Sequence, residues 1–303
     1  MSPLPHSHRP RAQMGLTLVE LMVSMVIGLA VIGAGLAMYS TSGFAGKGSS
    51  ALSQMSEDAS LALSLMRNHI AMAGYSRMVL EPTSNAMVKL YTGHPVFGCR
   101  FGVDSITKDN FLSSTDPDAT KHQIACDNAA GTGNDTLIVL YEADQDNTVA
   151  NTATTPTDCL GNGVPLVTTN PLGNYNIAEN RFFISADNAL SCRGNDGAVS
   201  QPLVDNVAQM QIWYGVATPS PTGTRGTVAT RYLRANQVGD MNNGNWDQVV
   251  SIRLCLVIQS RDPVLDTPAP YFNCNGVSTP TTDRRLYRAF TTTVVLNNRI
   301  FQN

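Results

Sequence analysis

The side chains with catalytic potential are few in this chain, and their spacing matches no common active site. His69, His94 and His122 lie far apart in the sequence. The chain contains no G-x-S-x-G nucleophile motif, no H-E-x-x-H zinc motif and no phosphate-binding G-x-x-x-x-G-K loop. His69 falls on a predicted helix, where we favour a surface or packing role. We therefore predict that the protein is not an enzyme and that it holds no cofactor.

Acidic and amide side chains are concentrated in one segment that contains Glu142, Asp144, Asp146 and Asn147. Oxygen ligands of this kind could hold Ca²⁺, but the glycine and the distal glutamate of an EF-hand loop are missing. We therefore favour a solvated loop and predict no metal site.

Three aromatic residues could serve as anchors of a protein interface, namely Trp213 with its neighbour Tyr214, and Trp246. Trp213 lies in a predicted strand, so a role in the core is favoured for it.

The six cysteines can form disulfide bonds if the domain that carries them is exported. No C-x₂-C or H-x₃-H spacing occurs, which argues against zinc. Sequence alone allows many pairings, and we favour sequential pairing because each such pair brackets a loop-like stretch. On the chain-entropy model each bond would stabilise the fold by about 3–4 kcal/mol. The residues are Cys99, Cys126, Cys159, Cys192, Cys255 and Cys274.

Glu20 is a lone carboxylate near the start of a long apolar segment, residues 16–38, and the next charge is Lys47. At about 1.5 Å per residue the segment would be roughly 34 Å long, enough to cross a hydrocarbon core of about 30 Å. A carboxylate at the membrane centre costs about 2.5–3.5 kcal/mol. If the chain were cut after Gly15, the new amine on Leu16 of one copy could neutralise Glu20 of a neighbouring copy.

The stretch G-L-T-L-V-E-L-M-V, which begins at Gly15, resembles the class III signal of type IV prepilins. The resemblance implies that a prepilin peptidase removes a leader, residues 1–15, that Leu16 is then N-methylated, and that the helix packs into a filament core. Leu16 stands where Phe is commoner. The alternatives are an ordinary signal anchor with an unrelated glutamate, or a secretory signal, whose apolar region would be shorter.

Charge on the two sides of the apolar segment predicts the topology. Arg9 and Arg11 precede the segment, and positive flanks stay cytoplasmic. We therefore expect a single-pass inner-membrane protein whose remaining mass lies in the periplasm. The formal net charge is −3, and lysine is scarce after the segment, so no nucleic-acid footprint is visible.

The rest of the chain predicts an α+β fold, in which a long N-terminal helix packs on an antiparallel sheet head with long disulfide-bearing loops. Residues 39–75 continue the helix with an apolar stripe at spacings of three and four. Residues 76–303 form the β-rich head, in which the last two strands pair antiparallel. The stripe is Leu52, Met55, Ala59, Ala62, Met66, Ile70 and Ala73, and the strands are 136–141, 181–185, 207–216, 248–259 and 286–296.

Three later stretches resemble the PilW family of minor pilins, and more distantly pseudopilin J of type II secretion. They are RNHIAMAGY at 67–75, the strand pair DTLIVLYEA and QMQIWYGV, and the C-terminal VVSIRLCLVIQS with RRLYRAFTTTVVLNNRI. The resemblance implies a minor type IV pilin that joins the pilus tip or priming complex and promotes assembly, in support of adhesion, twitching motility or DNA uptake. The implied partners are other minor pilins, the major pilin, the prepilin peptidase, the inner-membrane assembly platform and a tip adhesin.

Two alternatives and one structural question stay open. The chain could be a type II secretion pseudopilin, or a membrane-anchored periplasmic enzyme or binding protein, which would need a pocket of convergent polar groups. An exposed edge strand could also pair with a neighbour's strand, but the sequence does not say which strand forms the edge.

Overall fold

The computed structural model describes residues 15, 17–101, 126, 133–151, 154–168, 170–195, 199–218, 226–240 and 245–299. The predictions for the leader before Gly15, for Leu16 and for His122 lie outside the described residues. The chain divides into two compact units, of which the first ends at Ser50 and the second begins at Ala51.

One helix, α1, runs from Leu18 to Met72 and is followed by antiparallel sheets, which is the predicted α+β fold. The helix ends close to the expected Ala73 because Gly74 adopts a left-handed backbone conformation with φ of 70°. The amide of Gly74 donates to the carbonyl of Leu140 at 2.8 Å, so the end of the helix is fixed to a strand.

The part of α1 that belongs to the second unit buries an apolar stripe in the hydrophobic core of the head. Most of the predicted stripe is buried, with one correction at its start. Leu52 is 40% exposed, and its neighbour Ala51 is buried instead, since a helical stripe is only a few residues wide.

The larger sheet contains six strands in the order β3-β4-β6-β7-β8, with β5 paired to β6. All of its pairings are antiparallel. The strands are β3 Val96–Cys99, β4 Thr136–Ala143, β5 Leu166–Val167, β6 Tyr175–Ile184, β7 Leu190–Arg193 and β8 Gln201–Val204.

The second sheet has the order β10-β9-β11-β14. The predicted antiparallel pairing of the last two long strands is confirmed, with an uninterrupted register from Ser251 with Val295 to Gln259 with Tyr287. The strands are β9 Val207–Ala217, β10 Ala229–Leu233, β11 Val249–Gln259 and β14 Tyr287–Val295.

Smaller elements complete the head. Two hairpins pair β1 Met78–Leu80 with β2 Met87–Lys89, and β12 Tyr271–Phe272 with β13 Ser278–Thr279. A short helix, α2, spans Ala235–Val238, and single 3-10 turns span Trp246–Gln248 and Asn297–Arg299.

Strand β6 begins six positions earlier than the predicted start at Arg181, because polar residues inside it are buried rather than exposed. Glu179 accepts hydrogen bonds from Nε and Nη2 of Arg181, at 2.8 and 2.6 Å. Asn180 accepts a hydrogen bond from the amide of Cys159 at 2.8 Å. Charged and amide side chains interrupt the apolar alternation, so the recognisable apolar pattern begins only after the strand has begun.

Three disulfides join cysteines in sequential pairs, which is the pairing that the sequence favours. Cys255–Cys274 fixes the turn of the β12–β13 hairpin to strand β11. Cys159–Cys192 and Cys99–Cys126 fix loop residues to β7 and β3. Each bond therefore ties a cysteine outside the strands of the two sheets to a cysteine within one.

His69 joins the helix to the larger sheet, so it has the packing role. Its Nδ1 lies 3.3 Å from the hydroxyl of Tyr141 and 3.3 Å from Nδ2 of Asn180. The ring also packs on Phe182, with centroids 5.2 Å apart. Burial lowers the pKa of His69 to about 4, because an imidazolium would lose its hydration there.

Asp135, directly before β4, joins the two sheets. Its Oδ2 accepts hydrogen bonds from the amide of Ile212 at 2.6 Å and from Nη1 of Arg234 at 3.2 Å. Its own amide donates to the carbonyl of Met210 at 3.1 Å. Burial raises the pKa of Asp135 to about 7, although these donors favour the charged form.

The His69 contact predicts acid sensitivity. The unfolded chain takes up a proton near pH 6.5 and the folded chain only near pH 4, so stability falls as the pH drops through this window. Through His69, the free energy of unfolding should be about 3 kcal/mol lower at pH 4 than at pH 7.5. We expect His69→Gln, which keeps a hydrogen-bonding side chain, to remove this difference. Denaturant unfolding of the detergent-solubilised protein at pH 7.5 and pH 4 measures it, and an unchanged difference between the two pH values would contradict the assignment.

The Asp135 contact predicts the opposite trend. The folded state holds this proton up to about pH 7 and the unfolded state only near pH 3.8, so stability rises as the pH falls from 7 toward 4. Through Asp135, the free energy of unfolding should rise by about 4 kcal/mol as the pH falls through this range. We expect Asp135→Asn, which retains an acceptor for Ile212, to abolish this rise. The same unfolding series checks it, with His69→Gln as the control that shifts in the other direction.

Candidate functional site

The first turn of α1 forms a capping box around the predicted assembly residue, Glu20. Thr17 is the residue before the helix, and both its amide and its hydroxyl donate to Oε2 of Glu20 at 3.0 Å. In return, the amide of Glu20 lies 3.3 Å from the hydroxyl oxygen of Thr17. These contacts satisfy backbone donors that have no partner inside the helix.

Sequence reasoning assigned Glu20 a contact with a neighbouring subunit and missed this local contact. The signal was present, because Thr17 and Glu20 have the T-x-x-E spacing of a capping box. The arrangement fixes the carboxylate next to the start of the helix. Among the described residues Oε1 of Glu20 accepts no hydrogen bond, so one carboxylate oxygen can accept a bond from another chain.

The helix beyond Glu20 presents apolar side chains on all sides. The segment Leu18–Leu36 has a mean hydropathy of 2.2, none of it is buried, and it is long and apolar enough to cross a membrane. Gly28, Gly33 and Gly35 lie on this part, and a Cβ added at any of them would meet nothing within 4 Å. A helix that is apolar all round needs lipid or other helices around it.

Gly15 lies two positions before Thr17, and a Cβ added there would likewise meet no atom of the described residues within 4 Å. Leu16, the predicted methylation residue, lies outside the described residues. The roles of Gly15, Leu16 and Glu20 therefore stay predictions that the sequence motif supports.

The acidic segment is a partly exposed turn at residues 144–147, as the sequence suggested, but Glu142 does not belong to it. Glu142 belongs to β4 and is 1% exposed. Its carboxylate pairs with Arg77 and accepts the hydroxyl of Ser76 at 2.7 Å. Asp144 Oδ1 accepts the amides of Asp146 and Asn147, both at 2.9 Å, which closes a turn. In the described part of the chain, no group of three His, Cys, Asp or Glu residues could hold a metal ion.

Two of the three aromatic candidates for an interface belong to the core. Trp246 and Tyr214 are fully buried and pack edge to face, with centroids 4.9 Å apart, and Phe97 contacts the same indole. Trp213 is half-buried, and the guanidinium of Arg234 lies over its ring at 3.9 Å. None of these residues presents an open aromatic anchor.

Comparisons with known proteins match two parts of the chain. The family described as Type IV Pilus-assembly protein W matches residues 174–298, from the residue before β6 to just beyond β14. The Prokaryotic N-terminal methylation motif matches residues 10–36, which include Gly15, Leu16 and Glu20.

Among solved structures, the chain is similar to a type IV-like pilin from Thermus thermophilus. The two share 11% sequence identity with a TM-score of 0.39, over 81% of this chain and 98% of that chain. No curated protein matches the chain.

The methylation motif at the start of the exposed helix and the PilW match over the second half of the head support the same assignment. The chain is a type IV pilin-like protein with a prepilin methylation motif and a PilW domain.

Proposed function

We propose that this protein is a minor type IV pilin that joins the pilus tip or priming complex and promotes assembly of the filament. The apolar helix inserts the precursor in the inner membrane with the head in the periplasm. Prepilin peptidase then removes residues 1–15, and Leu16 is N-methylated. Other minor pilins, the major pilin, the assembly platform and a tip adhesin are the proposed partners, in support of adhesion, twitching motility or DNA uptake.

The observation that carries the proposal is an exposed apolar helix that begins with a prepilin signal and a single fixed carboxylate. The general role in a pilus follows from the family, whose domains are structural rather than catalytic.

Glu20 is proposed to set the position of the subunit against its neighbour. Removal of the leader creates a positive amine on Leu16, four positions before Glu20 in sequence. In the apolar filament core an amine and a carboxylate from neighbouring helices neutralise each other, whereas either charge alone is unfavourable. The Thr17 bonds at Oε2 orient the carboxylate, so Oε1 is the oxygen proposed to receive the amine.

The second candidate is a pseudopilin of type II secretion, which would use the same helix and signal. The PilW match over residues 174–298 favours the pilus. The neighbouring genes distinguish the two assignments, since pilus genes and secretion genes cluster separately.

Leader removal gives the first test. We expect the protein extracted from membranes to begin at Leu16 with a methylated amine, because the signal places the cut after Gly15. Intact-mass and N-terminal peptide mass spectrometry measure this. The variant Gly15→Val should retain the leader, and a wild-type protein that begins at Met1 in cells with prepilin peptidase would contradict the proposal.

Charge and capping at the first turn can be tested separately. Glu20→Gln keeps a side chain that can complete the capping box but removes the charge, whereas Thr17→Ala removes the cap and keeps the charge. We expect Glu20→Gln to lower incorporation into sheared pili about tenfold or more, since an unneutralised amine would then be buried. Thr17→Ala should lower it much less, and quantitative immunoblotting of the pilus fraction compares them.

Both variants should be cleaved after Gly15 and should keep the three disulfides, which shows that the head is folded. Normal incorporation of Glu20→Gln would contradict the role of the charge. Equal loss in both variants would assign the role of Glu20 to capping instead.

A further inference from the structure

Strand β14 is the last strand of the four-stranded sheet, and no strand of the described residues pairs with its outer side. Leu286 accepts a bond from the amide of Ser260, and the amide of Leu296 donates to Val250. In an antiparallel ladder the residues that bond to one neighbour alternate with residues whose amide and carbonyl face the other side. The backbone groups of four alternate residues therefore point away from β11, and among the described residues they have no hydrogen-bond partner: Ala289, Thr291, Thr293 and Val295.

The other edges of the two sheets carry features that discourage strand pairing. Strand β10 contains Arg231 and an irregular register next to it. Strand β8 contains Pro202 and a register shift against β7. Strand β3 is only four residues long and fully buried.

None of these features occurs on β14 after Arg288. Its register against β11 is regular throughout, and the stretch from Ala289 to Leu296 contains no charge and no proline. The side chains of Thr291, Thr293 and Val295 are exposed, and β-branched residues favour extended pairing. The β12–β13 hairpin covers only the beginning of the strand, where Tyr271 stacks on Tyr287 with centroids 4.7 Å apart.

We propose that the edge of β14 from Ala289 to Val295 binds an extended strand from a different pilin subunit by strand addition. The strand that fits is uncharged and β-branched along this stretch and carries an acidic residue beside Arg288, which is exposed at the start of the edge. The inference rests on the proposed function, in which this protein assembles with other pilins.

Charge distinguishes a different subunit from a second copy. From Tyr287 to Arg299 the chain contains no acidic residue, so a second β14 has nothing to place next to Arg288. A parallel in-register pair of two copies would even bring Arg288 against Arg288, and like charges directly opposite are destabilising.

Two substitutions at one position test the edge in the full-length chain expressed in its own cells. Thr293→Pro removes an amide that points away from β11, and proline is tolerated on an edge strand. Thr293→Val keeps that amide and serves as the matched control. Thr293→Lys leaves the backbone intact and places a charge on the edge, so it tests the same surface without proline.

A photoreactive benzoylphenylalanine at Thr291 reports the bound strand, and the same probe at Arg231 on β10 is the positional control. We expect an adduct from position 291 that maps to one strand of another processed pilin, and no comparable adduct from position 231. The adduct should fall about tenfold with Thr293→Pro and with Thr293→Lys, and stay unchanged with Thr293→Val.

An adduct on any strand of a second copy of this chain, or equal yields from the Pro, Lys and Val variants, would overturn the inference. Disulfide formation and protease resistance of the head are measured for each variant to show that it is folded. If the head of the Pro variant does not fold, the adduct yield of the Lys variant tests the inference. The mature N-terminus is determined in the same preparations. A retained leader would contradict the proposed function. If the leader is removed and pili form normally, but the edge variants do not change the adduct yield, only this inference is contradicted.

Discussion

A carboxylate on an otherwise apolar helix is stable only where donors or a cation meet it, and this constraint explains the start of the chain. In the single subunit the donors are the amide and hydroxyl of Thr17, which lie within the same turn as Glu20. These two donors are sufficient to stabilise the carboxylate where the helix terminus is exposed to water. Once water is excluded by lipid or by other helices, two neutral donors leave the charge unbalanced, which is why we propose that a cation from another chain meets it.

In the head the constraint is different, because the second part of α1 carries only a narrow apolar stripe and only that side has to be buried. That stripe is covered by the sheets of the head, and His69, Gly74 and Glu142 with Arg77 fix the helix end and the following chain to the strands. The three disulfides then fasten the loops to strands that are already buried. Polar pairs inside the head therefore hold segments in place.

Regular patterns made most of this fold predictable from the sequence. The apolar run, the stripe on the helix and the alternation in β11 and β14 gave the elements and the pairing of the last two strands. The buried charges were not predictable, because Glu142, Glu179 and Arg181 look like surface residues until their partners are known. The sequence left the role of Trp246 open for a related reason, since a tryptophan in a polar stretch gives no sign that Phe97 and Tyr214 enclose it.

At the candidate site the sequence identified Glu20 but not its local partner, although Thr17 has the spacing of a capping box. The edge of β14 could not be chosen in advance, because strand order depends on long-range pairing that the alternation of single strands does not encode. The absence of charge from Ala289 to Leu296 becomes informative only when the strand is known to lie at an edge.

The central claim is that Glu20 meets the freed amine of a neighbouring subunit, and zero-length coupling tests it most directly. Dicyclohexylcarbodiimide, which enters apolar regions, joins a carboxylate and an amine only where they touch. In assembled pili we expect an amide between Glu20 and the N-terminal residue of another pilin, identified by mass spectrometry of the crosslinked peptides. Pili that contain this subunit and form no such amide, while exposed carboxylates in the same sample are coupled, would contradict the account.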